Sequence, residues 1–243
     1  MDVLDLKRFY AGETGRMARR LIAARLRDLP QPPRDARVLG LGYATPWLER
    51  YDGSCAEVFS AMPARLGVVH WPHGKASRTL LTEEDALPFP DASLDLVLVA
   101  HGLELSHVMP GMLREIWRVL AAQGHVVFIV PNRRGLWARF DGTPFGHGRP
   151  FSRRQLEAAL KASGFAPLNV LPALFAPPSA RRYMRRAAFA WERAGKAFWP
   201  GFSGVLIMEA VKQVYAVRGQ RRRELLFPGL KPLPSPALGQ VRE

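Results

Sequence analysis

Leu94 to Ala100 reads Leu-Asp-Leu-Val-Leu-Val-Ala, apolar at every place but one. A strand wetted on one side would carry polar residues at alternate positions, so this one is expected to be covered on both faces. His125 to Val130 is a second strand of the same kind. Between them Met112, Leu113, Ile116, Trp117 and Leu120 share one face of a helix expected over 107–120, with Gly124 closing it. Two doubly covered strands joined by a helix require a right-handed crossover and a parallel sheet with helices on both sides.

The rest of the chain extends this pattern. Leu6, Phe9, Tyr10, Met17, Leu21, Ile22 and Leu26 recur at helical spacing, giving an N-terminal helix through about Leu29 that Pro30, Pro32 and Pro33 stop. Ala36–Gly42, Ala56–Ala61 and Thr79–Leu81 read as strands, and 47–51 as the start of a short helix. Ser152 caps a helix to about Ala162, closed by Gly164. The fold class is therefore α/β, Rossmann-like and doubly wound. Ligands of such sheets bind at the carboxyl ends of the strands, here the loops after Gly42, Ala61, Thr82 and Ala100. One domain is expected over 1–217: a core over 36–165, a helical insertion over 177–203 and a last strand, or β-hairpin edge, over 204–217. The tail, 218–243, is rich in Pro and Arg and is expected to be poorly ordered.

Asp85 to Asn132 carries the text Asp-Ala-Leu-Pro-Phe-Pro-Asp-Ala-Ser-Leu-Asp-Leu-Val-Leu-Val-Ala-His-Gly-Leu-Glu and, further on, Met-Leu-Arg-Glu-Ile-Trp-Arg-Val-Leu. In these words and in its order of elements the chain resembles the class I S-adenosylmethionine (SAM) methyltransferases of the type 11 group, over about 38–165. The resemblance implies a mostly parallel seven-stranded sheet with an antiparallel last strand, SAM as cofactor, and a small or lipophilic methyl acceptor. It places the SAM methionine portion at the loop after the first strand, where Gly40, Gly42 and Thr45 fall. It also places Asp85 and Ala86 near the adenine, and His101 and Glu104 beside the methyl-transfer cleft.

Two departures bear on activity. The family's first strand ends like Val-Leu-Asp-Leu-Gly-Cys-Gly-Thr-Gly, whereas here Gly40 replaces the acid, Ala44 the middle glycine and Pro46 the last. The second strand ends Phe59-Ser60-Ala61-Met62-Pro63, without the carboxylate that holds the ribose hydroxyls in the family, and Ser60 is only a partial substitute. A catalytically silent methyltransferase-like module that binds a protein or an anionic surface is therefore the alternative. His101 is the candidate general base, with a core role as its competitor.

The remaining features sort partners. With 35 Lys and Arg against 21 Asp and Glu, the net charge of +14 favours anionic ones. Arg133 and Arg134 follow the fifth strand and suit an anionic acceptor. The Asn-Pro-Pro-Tyr signature of nucleic-acid amino methylation is absent, which disfavours nucleic acid. Arg181, Arg182, Arg185, Arg186, Arg193 and Lys196 alternate with Tyr183, Phe189, Trp191 and Phe198, so 181–196 reads as a lid, as a helix lying on an anionic membrane, as an RNA-binding helix, or as a helix with its aromatics packed on the sheet. The six histidines lack metal-ligand spacing, Cys55 is the sole cysteine, and no apolar run spans a bilayer, which together suit a cytoplasmic protein, peripheral to a membrane at most.

Overall fold

A computed structural model describes residues 1–178, 183 and 186–213. Its centre is a seven-stranded sheet of β1 (Arg37–Gly42), β2 (Glu57–Pro63), β3 (Thr79–Thr82), β4 (Leu94–Ala100), β5 (Leu120–Pro131), β6 (Phe165–Ala173) and β7 (Val205–Lys212). The spatial order is β3-β2-β1-β4-β5-β7-β6. The pairs among β1 to β5 are parallel, and β7 runs antiparallel to both β5 and β6. β7 is thus an interior strand, not a hairpin edge.

The apolar run of β4 behaves as its sequence requires. Leu96, Leu98 and Ala100 face the core beneath α1 (Val3–Ala11), α2 (Glu13–Leu26) and α3 (Thr45–Leu48). Val97 and Val99 face the opposite core beneath α4 (Met109–Val119) and α5 (Arg153–Ala162). Asp95, at the amino end of β4, accepts the Arg37 amide at 2.8 Å and is structural.

Several boundaries differ from expectation, each for a local reason. The N-terminal segment is two helices, not one. Asp2 caps α1 in a capping box with Asp5, and the chain turns at Gly12, whose extended backbone (ψ 165°) cannot continue a helix. A Cβ on Gly15 would come within 2.6 Å of the Phe9 carbonyl carbon and 2.7 Å of the Tyr10 Cα, so a glycine there lets α2 cross α1 closely. The helix before β5 spans Met109–Val119, within two residues of the expected 107–120, but Gly124 does not close it: Leu120 already pairs with Leu94 and Gly124 lies inside β5. β6 was not anticipated, since Pro167, Asn169 and Pro172 interrupt its apolar pattern. Residues 214–217 of the expected last strand and the tail from 218 fall outside the described residues.

The Leu-Pro-Phe-Pro-Asp turn after β3 is held by one side chain. Arg118 of α4 donates to Leu87 O and Phe89 O, both at 2.9 Å, to Asp91 at 2.6 Å, and to both oxygens of Glu115 at 2.8 and 2.9 Å. Glu115 in turn accepts the Leu87 amide at 2.8 Å.

Candidate active site

The carboxyl edge of the sheet gathers part of the expected set. Gly42 ends β1 at φ +79°, where a Cβ would overlap Ala100 O and stand 3.0 Å from the Gly102 amide nitrogen. The first loop therefore lies flat on the backbone that follows β4, and Tyr43 N donates to Ala100 O at 2.7 Å. Thr45 begins α3 and is buried; Pro46 sits in the first helical turn, where the missing N–H costs nothing.

Gly40 and Ser60 lie elsewhere. They pair with each other inside the sheet, and Ser60, three residues before the end of β2, is about 10 Å short of the carboxyl edge. Gly40 makes room for Leu48 of α3, since a Cβ there would stand 2.5 Å from Leu48 Cδ1. Gly40 is thus a packing position, whereas the Ser60 hydroxyl is buried without a hydrogen-bond partner among the described residues. Glu57, at the other end of β2, pairs with Arg37 at 3.2 Å. Asp85 and Ala86 are exposed in the loop after β3, with Asp85 over Gly111 in the first turn of α4 and Ala86 O accepting from Thr82 Oγ1 at 3.0 Å. Their neighbour Glu84, which the sequence reading passed over, is the acid in the cleft. It is buried and accepts a short hydrogen bond from Ser106 Oγ.

Beside Gly42, Tyr10 meets His101 and Glu104, which lie about 90 residues further along the chain. His101, at φ +48° and buried, brings Nε2 within 2.6 Å of the Tyr10 hydroxyl. Its Nδ1 stands 3.2 Å from Glu104 Oε1, itself buried. The approach is off the N–H axis, so the carboxylate has no aligned hydrogen-bond donor. Burial first, and then the Glu104 charge, raise the Tyr10 phenol well above its ordinary value, so it stays protonated and donates to Nε2. That assignment leaves the His101 proton on Nδ1, facing Glu104.

Aromatic rings seal this line. Tyr10 stacks on Tyr43 (5.8 Å, 17°) and meets the edge of Trp47 (5.5 Å), while Phe145 lies 5.0 Å from the His101 ring. Tyr43 and Trp47 are visible in the first loop, but Tyr10 and Phe145 come from distant segments, and nothing local marks them. What remains open is a cavity of about 260 Å³ bounded by Pro63, Leu66, Glu84, His101, Gly102 and His107. This is below the roughly 300–1,000 Å³ usual for ligand pockets.

Arg133 and Arg134 are exposed. Arg134 borders a separate cavity of about 650 Å³ near Arg153 and Arg154, on the β5–β7–β6 side. Among the described residues no group of three His, Cys, Asp or Glu could hold a metal, and no helix is long and apolar enough to cross a membrane.

A methyltransferase-domain family model matches residues 14–170, well over half the chain. The fold is that of a SAM-dependent methyltransferase from Thermotoga maritima, described as a possible histamine N-methyltransferase. The TM-score is 0.62 at 16% identity, over 87% of this chain and 96% of that one. A SAM-dependent methyltransferase from Archaeoglobus fulgidus gives a TM-score of 0.57 at 20% identity, over 80% and 94%. A malonyl-[acyl-carrier protein] O-methyltransferase of Halorhodospira halophila is 34% identical over 134 residues, which span 49% of this chain and 45% of that relative, so less than half its length. The chain belongs to the SAM-dependent methyltransferase family, and SAM is the cofactor of that family.

The residues fit that cofactor on one condition. Gly42 gives the close backbone approach and Glu84 an acid in the cleft, but the Tyr10–Tyr43 stack occupies the space before the first loop. For a whole SAM molecule to reach that loop, the Tyr10–Tyr43 stack would have to open.

Proposed function

We propose that the protein transfers a methyl group from SAM to an oxygen of a small, lipophilic acceptor, with His101 taking the acceptor's proton. The observation that carries this is the Tyr10–His101–Glu104 line beside Gly42. The Tyr10 hydroxyl holds the place of an acceptor hydroxyl, in contact with the nitrogen that would receive its proton. Glu104 would orient the ring and stabilise the imidazolium. Oxygen methylation is also the chemistry in the name of the Halorhodospira halophila relative, which supports an oxygen acceptor.

When bound, SAM would supply an electrophilic methyl on a positively charged sulfur. The chain would hold it with the Gly42 backbone, Thr45 and the cleft wall that includes Glu84. The aromatic ring of Tyr43, Trp47 and Phe145 would keep water from the reacting atoms.

Calorimetric titration of SAM into the wild type and Tyr10→Phe tests the reading. Removing one hydrogen bond worth about 1 kcal/mol from the closed state should tighten binding about five-fold. No binding to either protein at millimolar SAM would overturn the reading in favour of a silent module. With 4-methylphenol as acceptor and mass detection of the ether, His101→Gln should keep SAM affinity and lose roughly 10²–10⁴ in rate. An unchanged rate would remove His101 from the chemistry.

A further inference from the structure

The helix α6 (Ala188–Phe198) is built inside out for a helix that merely covers a core. Its inward positions are Ala188, Glu192 and Gly195, all buried. Its outward positions, with the turn that follows, carry Phe189, Trp191, Phe198, Trp199 and Phe202, exposed by 39–71%. Packing of these aromatics on the sheet, one of the readings open to the sequence, does not occur.

The orientation is fixed rather than accidental. A Cβ on Gly195 would overlap the Phe175 ring, so only a glycine lets the helix settle there. Glu192 accepts the amides of Phe175 at 2.6 Å and Ala176 at 3.3 Å. Rotating α6 to bury its aromatics would drive large rings into the space that Gly195 occupies and would break both bonds.

Cations surround the exposed rings. Arg193 and Lys196 are exposed on α6 itself, and Arg186 just before it. Grooves between α6 and α2 bring Arg16, Arg20 and Arg25 to the same side. Besides the buried Glu192, two acids share these grooves, Asp28, which pairs with Arg25 at 3.2 Å, and Glu13, against these six cations. Of the six basic residues named in the insertion, Arg181, Arg182 and Arg185 fall outside the described residues.

We propose that this face docks on an anionic lipid bilayer, with α6 lying in the plane of the headgroups. Exposed Trp and Phe beside Arg and Lys is the composition of an interfacial helix, and α6 is too short to cross. The charge selects the partner. A second copy would bring Arg193 and Lys196 against a like set, because a two-fold interface repeats the same patch. An anionic bilayer satisfies the cations and the rings together. This proposal does not depend on the methyl-transfer reading, although a membrane is where a lipophilic acceptor resides.

The test uses the full chain and phosphatidylcholine vesicles, with or without phosphatidylglycerol. Of the six tryptophans, Trp47, Trp71 and Trp137 are buried and Trp117 is half-buried, which leaves Trp191 and Trp199 as the ones whose emission should move to the blue on docking. The wild type should pellet with the anionic vesicles, shift its emission and release in high salt. Arg193→Gln with Lys196→Gln should lower partitioning about ten-fold or more. Phe189→Ser with Phe198→Ser and Phe202→Ser should abolish the blue shift and most of the pelleting. These side chains are on the surface, so unchanged near-ultraviolet dichroism shows that each variant is folded.

The proposal is overturned if the wild type stays in solution with anionic vesicles, or if both variants pellet as the wild type does. It is also overturned if the tryptophan shift comes with single-stranded RNA and not with vesicles. A dimer that the Phe variant turns into a monomer, without vesicle binding, assigns the face to a second copy and equally overturns it.

Discussion

Arg118→Ala tests what holds the most family-like stretch of the chain together. The side chain makes five hydrogen bonds, two to the carbonyls of Leu87 and Phe89 and three to carboxylates. The Asp91 contact contributes little, because that carboxylate is 78% exposed and an exposed pair is worth about 0–1 kcal/mol. The Glu115 pair and the two carbonyls are partly buried, with Arg118 32% and Glu115 17% exposed. Bonds to a charged donor reach about 1.5–3 kcal/mol each when buried, and partial exposure reduces these to roughly 0.5–1 kcal/mol apiece. The loss is then about 2–4 kcal/mol, or about 4–16 °C in melting temperature for a chain of this size. Thermal unfolding followed by circular dichroism reads it directly. The hydrogen bond from Arg118 also holds the Glu115 carboxyl below its ordinary value. A group lowered in the folded state stabilises above its unfolded pKa, and that contribution fades as pH falls through the folded value. The gap between wild type and variant should therefore narrow in acid. A shift under about 1 °C at pH 7, or a gap that widens in acid, would refute the clamp.

Two further changes probe α1 and α6. Gly15→Ala gains up to about 1 kcal/mol in helix propensity, yet its Cβ meets the Phe9 and Tyr10 backbone; the expected net result is a loss of about 1–3 kcal/mol and faster hydrogen exchange over residues 3–11, and a higher melting temperature would show that α1 and α2 do not cross there. Burial raises the Glu192 carboxyl above its ordinary value, with the bonds from Phe175 and Ala176 opposing; a raised carboxyl favours the folded state below its unfolded pKa and disfavours it as pH rises through the folded value. Glu192→Gln keeps an acceptor for both amides without the buried charge, so it should melt higher than wild type at pH 7 and converge with it near pH 4, and a lower melting temperature at pH 7 would mean that the charge is needed.

Most of the sheet was legible because its signals are local. The apolar runs of β4 and β5 and the capping residue Ser152 state their environment in a few neighbouring residues. β6 was not legible, because Asn169 and two prolines break the run; in the fold Asn169 is answered by Glu209 of β7 at 2.6 Å, a partner 40 residues away. The site failed to read for the same reason on a larger scale. Tyr10 looks like one more apolar place on a helix, and its meaning comes from His101, 91 residues on. Glu84 stood beside the Asp85 that the motif pointed to, and only the direction of each side chain after Thr82 separates the buried acid from the exposed one.

The three departures in the first loop have separate local causes. Gly40 stands where the family keeps an acid, but its space is taken by Leu48, so that change serves packing under α3. Pro46 falls in the first turn of α3, where a helix has no use for its N–H. Ala44 is buried at the N-cap with φ −89°, a conformation that any residue adopts. None of the three blocks the loop from its turn, and Gly42, the one position whose backbone requires a glycine, keeps it. The ring stacked against the loop comes instead from Tyr10 of α1, and it would have to part from Tyr43 to admit a cofactor. The end of β2 differs in another way, because no acid lies between Ala61 and Leu66. Glu84 is the acid left in that cleft wall. Glu84→Gln should therefore weaken SAM binding, whereas Asp85→Ala, on the exposed side of the same loop, should leave it within about two-fold. Calorimetry on the two variants checks this, and the reverse order of effects would return the adenosine end of the site to Asp85.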